Sequence, residues 1–256
     1  MASVPAYDPN DFALGIDPET WQRLNDDAEK PLHNRAIQGR YAPGSIFKIV
    51  VAVAALEEGI VEPDFSVQCN GVKSFYDRAY HCHLRGGHGR LTMEEALERS
   101  CNVYFYTLGS MIDIDVLNAW ARRLGLGGWT GIDLPHEIEG LVPSTQWKLA
   151  TAGEPWYPGE TISVSIGQGA LSLTPVSLAV MMATIANGGV RPTPHVLKAI
   201  DGGEGWEPFQ LAPGAVIDLQ PETVETLHRG LWRVVNARGT GGRARIDGFD
   251  VAGKTG

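Results

Sequence analysis

Long apolar runs are missing from this 256-residue chain. No stretch approaches the roughly 18 to 20 residues needed to span a bilayer, so the apolar residues from Ile49 to Leu56 and those around Leu178 to Ala186 read as buried helices. A surplus of positive charge is missing too, with 21 Lys and Arg against 30 Asp and Glu and a net charge of −9. Nucleic-acid phosphates reward clustered Lys and Arg, so this balance argues against nucleic acid as a partner. Arg238, Arg243 and Arg245 form a local basic group, read either as a solvated loop or as a neighbour of an anionic substrate. The start, Met1-Ala2-Ser3-Val4-Pro5, lacks the basic and apolar regions of a signal peptide. Cysteine is scarce, and the odd count of 3 disfavours a pure disulfide framework. There is no internal repeat, low-complexity tract or linker. With 43% hydrophobic residues the chain suits one large globular domain over residues 1–256, or one domain with a big insertion.

Caps and periodicity mark the elements. Pro43 and Gly44 end whatever precedes them, and the apolar run that follows closes at Glu57-Glu58-Gly59, predicting a helix from about Ser45 to Glu58. That run is apolar nearly all round, so the helix is expected in an interior. Thr20 to Ala28 reads as a short helix, and Phe65 to Cys69 as a short strand by alternation. Asn70 to Arg90 reads as a loop. Thr92-Met93-Glu94-Glu95 has the form of a capping box and opens a helix that runs into Ser100. Helices are also expected over Asp113 to Leu124, from Thr174-Pro175 to Asn187, and over Pro221 to Ala237. Residues 125 to 173 read as mostly irregular, and Pro194 to Ile200 and Gly248 to Gly256 as strands.

Three short patterns carry the chemistry. Ser45 and Lys48 stand three apart, which puts them on one helix face. A lysine held there in low dielectric is pushed toward the neutral form that can take a serine proton. Ser100-Cys101-Asn102 falls where one helix gives way to a turn, which lets Ser100 Oγ and the Asn102 amide point into a cleft. Lys254-Thr255-Gly256 lies on an expected strand, where its flanking glycines allow a substrate backbone to lie close. Each pattern is weak alone. In the order SxxK, SxN, KTG they form the signature of serine β-lactamases and penicillin-binding proteins, and a cleft with two lysines, two serines and an amide suits acyl transfer.

Longer stretches carry the resemblance further. Tyr-Asp-Pro-Asn at 7–10, the stretch from Asn34 to Lys48, Ser-Cys-Asn-Val-Tyr-Phe-Tyr at 100–106, Gly-Ile-Asp-Leu-Pro at 131–135, Ser-Ile-Gly-Gln-Gly at 165–169 with Leu-Thr-Pro at 173–175, and the closing Val-Ala-Gly-Lys-Thr-Gly resemble the transpeptidase domain of class B penicillin-binding proteins, elongation type. The resemblance implies an α+β fold of the penicillin-binding and serine β-lactamase kind, with a helical subdomain beside an antiparallel sheet. It implies that Ser45 is acylated by the penultimate D-alanine of a peptidoglycan stem peptide, with Lys48 as base and Ser100 as proton relay. Asn102 would hold the substrate amide, and Lys254, Thr255 and Gly256 the terminal carboxylate. β-Lactams would acylate the same serine. The full-length protein would sit in the bacterial inner membrane, with this domain on the periplasmic face, and pair with a membrane glycosyltransferase of the elongation machinery.

The cysteines suggest a second site. Cys69, Cys82, His88 and Cys101 are spaced by thirteen, six and thirteen residues, and three thiolates with one imidazole are a standard structural zinc set. Such a site would tie the loop after Cys69 to the helix that presents Ser100 and Asn102; the resemblance implies zinc in this region as well. Asp77, His81 and His83 stand as replacement ligands. The alternatives are three buried free cysteines, or one disulfide and a spare.

The family's sheet holds strands from both termini, and its domain continues past KTG. The resemblance therefore implies missing central strands and a missing C-terminal helix, and a chain that is poorly folded or inactive by itself. Other functions compatible with the motifs are a serine β-lactamase or D,D-carboxypeptidase, with Glu160 as the tempting deacylating glutamate, and a non-catalytic penicillin-binding sensor.

Overall fold

The structure, a computed structural model, describes residues 2–210 and 213–256. Helix α1 (Pro18–Asp26) opens on Asp17, whose carboxylate accepts the Glu19 and Thr20 N–H groups, with Pro18 in the first turn. A single turn, α2 (Arg35–Gln38), is capped by Asn34. Gly44–Phe47 then forms a 3-10 turn that runs into α3 (Lys48–Glu57). The helix expected from Ser45 thus begins as a tighter turn, because Gly44 takes a left-handed φ of 54°.

Next come β1 (Val67–Cys69), a hairpin of β2 (Val72–Phe75) and β3 (Arg78–His81), and β4 (Gly89–Leu91). The hairpin lies inside the stretch expected to be loop. Its turn uses Tyr76 and Asp77 at φ 49° and 59°, a pair of left-handed residues that glycine or asparagine would ordinarily advertise. Helix α4 (Met93–Glu98) starts with the expected capping box and is followed by α5 (Asn102–Gly109) and α6 (Ile114–Arg123), the last capped by Asp113.

Residues 125–173, read as irregular, contain α7 (Thr145–Ala152) and α8 (Pro158–Val164). Ser144 caps the first, and Glu160 closes a capping box on the second. Helix α9 (Pro175–Ala186) is followed by β5 (Val190–Arg191), β6 (Ala199–Asp201), β7 (Trp206–Pro208) and β8 (Ala215–Val216), then by α10 (Pro221–Asn236). Of the strand expected over 194–200, only its end pairs.

Helix α3 is the centre of the helical body. Lys48 and every residue from Ile49 to Ala55 are fully buried, with α4, α5, α6 and α10 packed around them. Each Val or Ile buried there contributes about 1.5–3 kcal/mol. Helix α10 lies along α4, and α8 against α5.

The class is α+β, with antiparallel pairing throughout. Among the described residues the strands form two-stranded ladders: β1 with β4, β2 with β3, β5 with β8 and β6 with β7. Of the segment from Gly248 to Gly256, expected as a strand, Gly248 and Phe249 belong to a turn in which the Phe249 N–H bonds Ile246 O at 3.1 Å, and residues 250–256 join no ladder among the described residues. Their neighbour is a helix: Asn236 Nδ2 donates to Val251 O at 2.7 Å and the Gly253 N–H to Leu231 O at 3.2 Å. A strand exists only through its ladder, so an extended sequence laid on α10 is not one.

Candidate active site

Each of the three motifs is delivered by a different local device. The Ser45 turn is seated on the 165–169 loop, where the Gly44 N–H donates to Gly167 O at 3.1 Å. A β-carbon at Gly167 would stand 1.9 Å from Gly44 O, so only glycine permits this approach of one backbone to another. The second motif sits on the end of α4. There the Ser100 N–H bonds Leu97 O at 3.2 Å and the Cys101 N–H bonds Ala96 O at 2.9 Å, the two bonds of a Schellman motif. Its left-handed position, usually glycine, is Ser100 at φ 53°. The third motif reaches the first directly: a β-carbon on Gly256 would lie 3.0 Å from Pro43 O.

Lys48 is 0% exposed. Its Nζ donates to Ser100 O at 2.8 Å and Asn102 Oδ1 at 2.7 Å, and lies 3.2 Å from Ser100 Oγ. Burial, and after it the nearby Lys254 charge, push Lys48 down to about 7. A neutral amine has two N–H groups and one lone pair. With the two N–H groups spent on Ser100 O and Asn102 Oδ1, the lone pair is left for a serine hydroxyl.

Lys254 Nζ approaches Ser100 Oγ from the other side at 2.9 Å and also donates to Thr255 O at 2.9 Å. Burial pushes Lys254 down to about 8. Ser100 Oγ therefore lies between two amines, a position suited to passing protons. Ser45 is half-buried. The Lys48 N–H bonds Ser45 O within the turn, while the partners of Lys48 Nζ are Ser100 and Asn102 rather than the Ser45 hydroxyl; catalytic contacts of this kind often tighten only on substrate.

Sequence reasoning missed the residues that hold the second and third motifs together. Glu98, 2% exposed, accepts Arg233 Nε at 2.6 Å and the Arg238 N–H at 3.1 Å. Thr240, on the loop after α10, donates its N–H to Glu98 O at 3.3 Å and brings its hydroxyl to 2.5 Å from Thr255 Oγ1. The glycines around Thr240 were a visible signal; nothing in the α4 pattern singles out Glu98. Of the basic group noted in the sequence, Arg245 bonds Asn236 O at 2.5 Å, and the side chains of all three arginines are exposed.

Behind the second motif, Cys69, Cys82, His88 and Cys101 bring their donor atoms within 4.8 Å of one another. His88 Nδ1 is 3.7 Å from Cys69 Sγ and 3.5 Å from Cys82 Sγ, and Cys82 Sγ is 4.0 Å from Cys101 Sγ. Tetrahedral zinc, with bonds of about 2.3 Å to sulfur and about 2.0 Å to nitrogen, separates its donors by about 3.8 Å and about 3.5 Å. The four residues fit it. The Cys101 thiol stabilises the Cys82 thiolate and is itself pushed up in return, while burial holds His88 toward the neutral form. All three cysteines are free. Asp77 sits at the hairpin turn and His81 and His83 are exposed, outside this group.

The family model for the penicillin-binding protein transpeptidase domain matches residues 1–256. The chain belongs to this family. The transpeptidase domain is 39% identical to the peptidoglycan D,D-transpeptidase MrdA of Acinetobacter baumannii over 264 residues, covering 100% of this chain and 38% of that protein. Among solved structures it is similar to Pseudomonas aeruginosa PBP2 in complex with WCK 5153, at a TM-score of 0.88 and 39% identity over 95% of this chain and 53% of that one. It is also similar to a chain from a structure described as the structural coordination of polymerization and crosslinking by a peptidoglycan synthase complex, with a TM-score of 0.83 and 40% identity, covering 100% of this chain and 43% of that one. The transpeptidase domain thus spans about two-fifths of the length of the curated relatives it matches.

Proposed function

We propose that this domain catalyses D,D-transpeptidation of peptidoglycan stem peptides through an acyl-serine intermediate, in cell-wall elongation. The observation that carries the reading is the buried Lys48 amine, its N–H groups committed to Ser100 O and Asn102 Oδ1 beside the Ser45 turn. Lys48, neutral, takes the Ser45 proton as Oγ attacks the penultimate D-alanine carbonyl. The bond to the last D-alanine then breaks, and Ser100 hands a proton to the leaving amine. An amine of a neighbouring stem peptide next attacks the Ser45 ester and gives up a proton through Ser100. The ester bond breaks and Ser45 recovers its hydrogen. Asn102 holds the substrate amide; Lys254, Thr255 and Gly256 bind the terminal carboxylate.

A β-lactamase would need a free carboxylate to activate the deacylating water. Glu160 is committed elsewhere, accepting Lys148 Nζ at 2.5 Å and the Tyr157 N–H at 2.9 Å. Stable acylation by penicillins, without rapid turnover, is therefore expected. The test is mass spectrometry of the natural full-length protein after exposure to a labelled penicillin. A lasting adduct on Ser45 supports the reading, and a folded protein without one sinks it.

Zinc held by Cys69, Cys82, His88 and Cys101 is part of this proposal. Bound there it would lock the chain on either side of the β2–β3 hairpin to Cys101, the residue between Ser100 and Asn102. Metal analysis with and without Cys82→Ala checks it; no stoichiometric metal in the unmodified protein overturns it. The proposal also puts the full-length protein in the bacterial inner membrane, with this domain on the periplasmic face and a membrane glycosyltransferase as partner. Similarity to a chain of a peptidoglycan synthase complex supports that partner.

A further inference from the structure

Thr255 Oγ1 and Thr240 Oγ1 are 2.5 Å apart. Hydroxyls at that separation share one hydrogen, so one donates and the other accepts. The pair has one further hydrogen to give, and which oxygen gives it decides what kind of group the cleft can bind.

The loop that carries Thr240 is fixed. Its backbone N–H bonds Glu98 O, and the Gly241 N–H bonds Val234 O at 2.9 Å on α10. Glu98 in turn grips the Arg238 N–H two residues before Thr240, while Arg233 Nε holds the same carboxylate. A buried carboxylate on α4 thus sets the place of a hydroxyl that faces the third motif from across the loop. Thr240 and Thr255 are both exposed, and Thr255 lies beside Lys254, whose Nζ bonds both Ser100 Oγ and the Thr255 carbonyl.

We propose that Thr240 is a positioning residue for carboxylate recognition: its hydroxyl donates to Thr255 Oγ1 and so turns the Thr255 hydrogen toward the terminal carboxylate of the substrate. The opposite sense would present Thr255 to an anion through its lone pairs alone. Accepting a hydrogen bond also strengthens a hydroxyl as a donor, so Thr240 makes Thr255 both better aimed and a better donor. The proposal rests on the acyl-serine reading above and adds to it a residue outside the three motifs.

The experiment compares a penicillin, which carries a carboxylate, with its methyl ester, which does not. Second-order rate constants for acylation of Ser45 are measured on the natural full-length protein and on Thr240→Val and Thr240→Ser. Wild type is expected to prefer the acid. Thr240→Val lowers the acid-to-ester ratio about tenfold, and Thr240→Ser, which keeps the hydroxyl, restores it. A valine variant that loses the same factor with both probes, or neither, overturns the proposal, because a merely structural role moves the two together. A wild type that forms no adduct with either probe overturns the acyl-serine reading and this inference with it. An acylated wild type whose ratio survives Thr240→Val overturns the inference alone.

Discussion

The two sides of the cleft are built in opposite ways. On one side Lys48, Ser100 and Asn102 sit in the helical body, tied to one another by hydrogen bonds of 2.7 to 3.2 Å. Ser100 is held there in a left-handed conformation that costs of order 1–3 kcal/mol and persists only where the surroundings over-determine it. On the other side Lys254, Thr255 and Gly256 lie on an extended segment with no ladder among the described residues. Contacts to α10, the Ser45 turn and the Thr240 hydroxyl hold it. Proton transfer needs amines and hydroxyls placed to a fraction of an ångström. Gripping a carboxylate tolerates more play. Under the proposed function the rigid side takes the first task and the looser side the second.

The largest test of this contrast is Lys48→Met, which keeps the length and apolar stem but removes the proposed base. It is expected to lower the rate constant for acylation by a labelled penicillin by about 10²- to 10⁴-fold. It also lowers folding stability by about 1–3 kcal/mol, because Ser100 O and Asn102 Oδ1 lose their buried donor. Denaturant titration alongside the acylation assay reads both. A variant that is acylated at the wild-type rate would show that Lys48 is not the base.

Ser100→Gly separates chemistry from stability on the same side. Glycine accepts φ 53° without strain, so the melting transition is expected to rise by the equivalent of about 1 kcal/mol while acylation falls about 100-fold for want of the relay hydroxyl. A variant both less stable and fully active would break the comparison.

The pH profile joins the two sides. Lys48, held near 7, must be neutral, and acylation rises as pH climbs through that value; Lys254, held near 8, must keep its proton, and acylation falls above it. A bell is expected, with the rate constant at pH 7.5 about sixfold above that at pH 6. A flat profile across this range would deny both assignments.

Asn236→Ala is the smallest perturbation and acts on the looser side alone. It removes the bond to Val251 O and is expected to weaken recognition about threefold through one lost hydrogen bond, with the maximal acylation rate kept. Saturation kinetics with the same penicillin separates these terms.

The rigid side was the more legible in the sequence. Lys48 and Asn102 lie on helices and Ser100 on the turn that closes α4, and the sequence marks this region by the capping box at Thr92 that opens α4 and by Gly59 just past the end of α3. The Cys69, Cys82, His88 and Cys101 cluster could be read from spacing because cysteine is rare here. The looser side escaped because its determinants are distant. Extended backbone is assigned from alternation, but only a partner makes it a strand, and the partner of residues 248–256 is α10. Glu98 and Thr240 meet across 142 residues, being numbers 98 and 240 in the chain, and no local pattern reports that. The β2–β3 hairpin was hidden for another reason: its turn forces Tyr76 and Asp77, rather than glycine, into left-handed geometry.

The contact between Gly44 and Gly167 limits how this domain can vary. Backbone rests on backbone at the turn that carries Ser45, so no side chain can be added at Gly167 to raise, lower or tilt that turn. Variants that alter the response to a substrate or an inhibitor are therefore expected to gather on the exposed third-motif segment and the loop around Thr240. The seat of the serine stays the same while its surroundings diverge.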